Sequence, residues 1–214
     1  PVLGLRWEYY PSSLSKVQFF SSAGEAWNAN TSGIQYQWFQ GRWEQGISII
    51  VTPFLEVHGY QIEGNLGNSG IEARSEIGLF DHKNRGETDF KGILGIDYGF
   101  PNAANLAIEY FFNHLGAQST EHRLEELQSK GSLTFTGKSY FGISGTYPLS
   151  SSKMIKSMLI ANIPDHSRFL SMEWSHRGDE SMEWGIGIHA TQGPQFSEFG
   201  SKSNTLYLRY VMYF

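Results

Sequence analysis

The last ten residues, 205–214, constrain the fold of this chain more than any other stretch. In TLYLRYVMYF every even-numbered position is apolar or aromatic, while the odd-numbered positions include Arg209. Successive side chains of a β-strand face opposite sides of the sheet. The pattern therefore predicts a final strand with one continuous apolar face and a second face that accommodates a charge.

Strand-like alternation of apolar and polar residues continues through most of the second half of the chain. Each alternating run is bounded by residues typical of turns, such as Pro, Gly, Asn and Asp. Short, regularly spaced strands of this kind predict an all-β sandwich or barrel. The residues STEHRLEELQ, at 119–128, have a helical composition and predict a short helix within a loop. The predicted strands are 71–80, 88–100, 105–113, 132–147, 153–163, 168–176, 182–191 and 205–214.

The first seventy residues alternate less regularly. Their candidate strands bring the total to about twelve, within a range of 10–14. From 101 onwards short and long connections alternate, except at 164–167, and bacterial barrels have short periplasmic turns and longer external loops. When strands are counted back from the C-terminus, the long connections 23–31 and 58–70 fall on the periplasmic side, where short turns are expected. Either one strand is miscounted, or the chain is the later part of a larger barrel. The early candidates are 2–10, 15–22, 33–40 and 46–57.

Composition favours a membrane environment over an aqueous one for this β-structure. Charged residues make up 17% of the chain, aromatic residues 15%, and there are 24 glycines. Aromatic side chains fall near the ends of the apolar faces, and ten tilted strand residues rise roughly 25 Å, the height of a barrel's apolar band. We therefore expect a single domain over 1–214, a transmembrane antiparallel up-and-down β-barrel. A soluble β-protein with an aromatic core is the alternative.

The C-terminal strand resembles the signal that bacterial outer-membrane β-barrel proteins present to the barrel-assembly machinery. That signal is a terminal Phe preceded by apolar residues at every second position, and it covers ten residues here. The resemblance implies localisation in the bacterial outer membrane, with outer-membrane lipid and the assembly machinery as partners. The residues that carry it are Leu206, Leu208, Tyr210, Met212 and Phe214.

If the apolar face touches lipid, the opposite face lines the barrel lumen. Glu173 and Glu183 should be neighbours across one turn, where they either share a proton or are neutralised by Arg or Lys from a neighbouring strand. Arg209 should lie opposite Gly185 or Gly187, where a large side chain has room. The predicted lumen-lining residues are Glu72, Arg74, Glu76, Asp89, Lys91, Asp97, Glu109, Glu173, Glu183, His189 and Arg209.

Several kinds of chemistry are disfavoured by the sequence. There is no Cys, so disulfides and Cys-based zinc sites are excluded. The seven histidines lack metal-ligand spacing, no phosphate-binding Gly-rich loop occurs, and no cofactor is expected. A net charge of −5 without a basic run argues against nucleic acid as a partner. The adjacent pairs Ser175-His176 and Asn113-His114 cannot form a hydrolase dyad within a strand, because neighbours face opposite sides.

The function expected from these patterns is a channel or porin-like pore for small polar solutes or ions. Alternating strands, aromatic strand ends and a charged second face are the observations behind this expectation. An outer-membrane enzyme that hydrolyses lipid or peptide is one alternative. A plugged structural barrel that docks an envelope protein is another. The sequence does not choose a solute.

Overall fold

The structure is a computed structural model. It describes residues 3–23, 30–83, 86–116, 137–179, 181–200 and 202–213. Thirteen strands, β1 to β13, are hydrogen-bonded in chain order into one antiparallel sheet. The predicted all-β, antiparallel up-and-down architecture is therefore confirmed, with a strand number inside the expected range. Closure of the sheet into a barrel stays a prediction, and the predicted helix at 119–128 lies outside the described residues.

Two compact units divide the chain. Unit 1 comprises residues 1–94 and 113–115, and unit 2 comprises 95–112 and 116–214. The strands of unit 1 are β1 (Leu3–Ser12), β2 (Ser15–Ala23), β3 (Thr31–Gln40), β4 (Trp43–Val51), β5 (Leu55–Asn65), β6 (Ile71–His82) and the first part of β7 (Glu87–Gly99). The strands of unit 2 are the rest of β7, β8 (Asn105–Asn113), β9 (Ser139–Ser150), β10 (Lys153–Asn162), β11 (Ser167–Asp179), β12 (Met182–Gln192) and β13 (Thr205–Met212).

A tight turn at 52–54 divides the strand predicted at 46–57 into two, so that prediction was wrong. The N–H of Leu55 donates to Thr52 Oγ1 at 2.9 Å, and the N–H of Thr52 donates to the Leu55 carbonyl at 2.8 Å. Pro53, between them, has no N–H and a fixed φ, which suits a turn position. The chain then returns as β5, which occupies most of the stretch 58–70 that was predicted to be a connection.

The additional strand resolves the predicted conflict between long and short connections. In an up-and-down sheet, all connections that follow even-numbered strands lie at the same strand ends. The three longest connections are 24–30, 114–138 and 193–204, and they follow β2, β8 and β12. Connections after odd-numbered strands are short, such as 13–14, 41–42 and 151–152. Of the two explanations left open, a miscounted strand is therefore sufficient.

Within unit 2 the register from β9 to β13 is regular apart from a shift between Lys153 and Met154 and another between Arg177 and Asp179. Ten consecutive pairs join β10 to β11, from Lys153 with His176 to Asn162 with Ser167. The connection between these two strands is only four residues, 163–166, which leaves the register little freedom to slip. Among the described residues, no helix is long and apolar enough to cross a bilayer.

Candidate functional site

The burial pattern of the described residues is inverted relative to a water-soluble protein. Only three hydrophobic side chains are buried, those of Ala104, Tyr140 and Phe199, whereas seven polar or charged residues are buried. Large apolar side chains dominate the exposed surface instead. Monomeric soluble proteins seldom expose contiguous apolar patches of this extent, and such patches mark contact with a partner or a membrane.

The last hairpin shows how sequence alternation produces this inversion. Even-numbered residues of β12 and β13 are exposed except Ala190, whereas the odd-numbered residues are partly or fully buried except Thr205. The register places Trp184 beside Tyr210 and Ile186 beside Leu208 on the exposed face. We call this face, and its continuation on other strands, the apolar face, and the opposite face the polar face.

Arg209 is the centre of a charge cluster on the polar face of unit 2. Its Nη2 donates to Glu173 Oε1 at 2.8 Å and to Glu183 Oε1 at 2.5 Å. Tyr207 donates its hydroxyl to Glu173 Oε2 at 2.9 Å, and Lys156 is the cross-strand neighbour of Glu173. Arg177 Nη2 is 3.9 Å from Glu183 Oε2, so three cations accompany the two carboxylates. Of the two arrangements considered for the glutamates, neutralisation by a neighbouring cation is the one that the structure contains.

Glycines on β12 make room for this cluster. Gly185 is the register partner of Arg209, as predicted, and Gly187 is the partner of Tyr207. A Cβ atom placed on Gly187 would lie 2.4 Å from the Tyr207 ring, which no real contact allows. The Tyr207 ring therefore occupies space that a side chain at position 187 would need. A cavity of about 290 Å³ adjoins the cluster, and Met158 and Ser171 contribute to its lining.

Three further predicted lumen residues lie on the polar face of unit 1. Their register partners on β5 are polar as well: Arg74 pairs with Glu63, and Glu76 pairs with Gln61. Glu72 is the partner of Asn65. On the far side of β5, Glu63 is also the direct partner of Glu44 on β4. The polar face of β4 to β6 thus holds four glutamates and one arginine, an excess of negative charge.

Asp89 and Lys91 lie side by side on the polar face of β7. Asp89 is 3% exposed and accepts a hydrogen bond from the Leu115 N–H at 3.1 Å. Lys91 Nζ is 3.5 Å from the Asp89 carboxylate and 4.7 Å from the centre of the Phe80 ring. Burial of a charge requires such a partner, so this pair stabilises the region where β7 meets the end of β8.

The remaining predicted lumen residues belong to unit 2. Asp97 is half-buried on β7, and Glu109 on β8 is the register partner of Gly142. His189 lies on the polar face of β12, with its ring centre 4.8 Å from that of Tyr207. All eleven predicted residues therefore lie in strands, on the face that carries the polar side chains. That this face lines a lumen stays a prediction.

The sequence did not indicate a buried polar cluster where the β12–β13 connection packs onto strand ends in unit 2. Glu198 is 6% exposed, and its Oε2 accepts hydrogen bonds from the Tyr140 hydroxyl and from Asn162 Nδ2. The Glu198 N–H donates to Asp165 Oδ2 at 2.8 Å, and Asp165 also accepts from the Ser167 hydroxyl at 2.7 Å. We call these five residues the end cluster. Its members come from three separate segments, 140, 162–167 and 198, so no local sequence pattern predicts the cluster.

Neither candidate hydrolase pair forms a dyad. Ser175 is buried on the polar face, whereas His176 lies on the opposite face against the rings of Trp174 and Trp184. No group of three or more potential metal ligands is found among the described residues. For the assembly signal, Leu206, Leu208, Tyr210 and Met212 are all exposed on the apolar face, and Phe214 lies outside the described residues.

Comparison with known proteins found no family model that matches this chain and no curated protein that matches it. The function therefore has to be argued from the two faces of the sheet and the groups that they present.

Proposed function

We propose that this chain is an integral β-barrel of the bacterial outer membrane that forms a channel for small polar solutes or ions. The observation that carries the proposal is the inverted burial pattern: exposed apolar side chains on one face of the strands and charged, glycine-backed side chains on the other. In a bilayer the apolar face contacts acyl chains, and all backbone polar groups must be paired internally, as in a closed sheet.

Aromatic pairs on the apolar face support a membrane interface. Stacked or edge-on rings occur between the middle and the C-terminal end of four odd-numbered strands, two in each unit. Membrane barrels concentrate aromatic side chains at the two interfaces, where an apolar ring meets lipid and a polar atom meets water. The pairs are Trp7–Tyr9 on β1, Tyr36–Trp38 on β3, Tyr98–Phe100 at the end of β7 and Trp174–His176 on β11.

The charges of the polar face support a preference for cations within the proposed channel. The cluster around Arg209 contains two acids and three bases and therefore adds no excess of negative charge. Unit 1 contributes the excess of glutamates on β4 to β6. Rings or patches of carboxylates favour cation passage, because they raise the local cation concentration.

Conductance across a planar bilayer tests the proposal. We expect discrete current steps from purified protein and, in a salt gradient, a reversal potential that indicates cation preference. The double variant Glu44→Gln/Glu63→Gln should move the reversal potential towards zero. Glu56→Gln is the matched control, because Glu56 is the register partner of exposed Val51 and so lies on the apolar face.

A plugged structural barrel is the second candidate, favoured by the end cluster and by the ion pairs around Arg209. Folded protein that inserts into vesicles without any conductance would support this candidate and remove the channel. Protein that stays monomeric and folded in water without detergent would remove both.

A further inference from the structure

Two exposed aromatic rings lie on the polar face of unit 1, where most neighbouring side chains are polar. Tyr10 is 62% exposed and Phe39 is 49% exposed. Phe39 is the register partner of Glu44, and its strand neighbour on the same face is Gln37. Large rings exposed among charges are not required for contact with lipid, so their position needs another explanation.

The local backbone forms a recess around these rings. The register of β1 with β2 shifts between Tyr9 and Ser12, an irregularity of the kind that redirects side chains near sheet edges and binding sites. The N–H of Phe39 donates to the Leu14 carbonyl at 2.9 Å, which ties the β1–β2 turn to β3. The resulting cavity has a volume of about 250 Å³, and Tyr10 and Phe39 form part of its wall.

Polar groups of both kinds complete the lining. Lys16 supplies a donor, Glu44 supplies an acceptor, and the Gln37 amide supplies both. Among the described residues, none of these three side chains has a hydrogen bond or an ion pair with another side chain. Donors and acceptors that are not engaged with each other are available to a ligand.

We propose that this recess binds a neutral saccharide of monosaccharide size, which would make it a solute site of the proposed channel. A sugar ring presents an apolar C–H face, which packs on an aromatic ring, and a rim of hydroxyls that donate and accept hydrogen bonds. The recess offers both features together. A free amino acid would use the charges of Lys16 and Glu44 but not the rings, and an inorganic ion would use fewer groups still. As a solute site the inference rests on the proposed function, although binding itself does not require conductance.

Saturation-transfer NMR with glucose and detergent-folded protein tests the inference. We expect transfer from the protein to the C–H protons of glucose. Phe39→Leu keeps an apolar side chain but removes the ring, and should raise the dissociation constant about two- to tenfold, the range that aromatic contacts contribute. Phe19→Leu is the matched control, since Phe19 pairs with exposed Ile34 on the apolar face. Heat-modifiable gel migration shows that each variant is folded.

Glu44→Gln serves as a second variant and should also weaken glucose binding, so a folding defect in one variant does not decide the matter. Absence of transfer to glucose, equal weakening by Phe19→Leu, or stronger transfer to glycine than to glucose overturns the saccharide site. Conductance of the same preparations separates the two proposals. Conductance without glucose binding leaves the channel and removes the site, whereas glucose binding without conductance removes the channel and leaves the site.

Discussion

Replacing Leu208 by arginine distinguishes a lipid-facing surface from a water-facing one. Leu208 is 80% exposed in the middle of β13 and pairs with Ile186 on the apolar face. A tilted strand rises about 2.5 Å per residue along the bilayer normal. By that rise, Leu208 lies about 8 Å from Thr205 and about 10 Å from Met212, the two ends of β13, and therefore near the bilayer midplane.

Arginine on the lipid face at that depth costs about 2–4 kcal/mol, and each 1.4 kcal/mol is a factor of ten in an equilibrium constant. The ratio of folded to unfolded protein in vesicles should therefore fall about 30- to 1,000-fold. On the surface of a soluble β-protein, the same change would alter the free energy of unfolding by no more than about 0.5 kcal/mol. The two environments thus predict clearly different results.

Urea titration of protein folded into phospholipid vesicles, followed by tryptophan fluorescence, measures the difference. Leu206→Arg is the depth comparison, because Leu206 is equally on the apolar face but lies about 5 Å from Leu208 along the bilayer normal by the same rise, so its cost should be smaller than that of Leu208→Arg. An unfolding free energy of Leu208→Arg within about 0.5 kcal/mol of the wild type would refute the lipid-facing assignment.

Three further results are expected. Arg209→Met removes the cation shared by Glu173 and Glu183 and should lower the free energy of unfolding by about 1–2 kcal/mol in the same titration, a value reduced by the partial exposure of Arg209. Adding Glu173→Gln and Glu183→Gln to this variant should recover most of the lost stability. Failure to recover it would contradict the ion-pair explanation. Glu198→Ala removes the buried acceptor of the end cluster and should cost about 1–3 kcal/mol, whereas Phe196→Ala, at an exposed position of the same connection, should stay within about 0.5 kcal/mol. Unheated protein in detergent should migrate differently on a gel from boiled protein, and identical migration would indicate that no stable barrel forms.

The sequence predicted the second half of the sheet well because register there follows from short turns. A short turn after β11 places β12 beside it, and alternation then places Arg209 on the face of the two glutamates. The prediction that Arg209 lies opposite Gly185 or Gly187 also required β13 to pair with β12 across the longer connection 193–204. Such local geometry can be worked out from residue spacing alone.

The parts that the sequence did not predict depend on weak local signals or on contacts distant in sequence. The run ISIIVTPFLEV, at 47–57, is mostly apolar, so Pro53 is the main sign of the turn that divides it. The end cluster brings Glu198 to Tyr140 and Asn162, which are 58 and 36 residues away in sequence. The recess beside Phe39 depends on a register shift in β1 between Tyr9 and Ser12, for which Pro11 is the local sign in the sequence.

Pairing of every strand with its chain neighbour has a kinetic consequence. The longest loop that must close to pair two neighbouring strands in this order is the connection 114–138. The entropic cost of closing a loop grows only slowly with its length. The sheet can therefore grow one hairpin at a time, each new strand docking on an edge that already exists. Folding of this kind exposes a single growing edge at any moment, which limits the opportunity for misassembly.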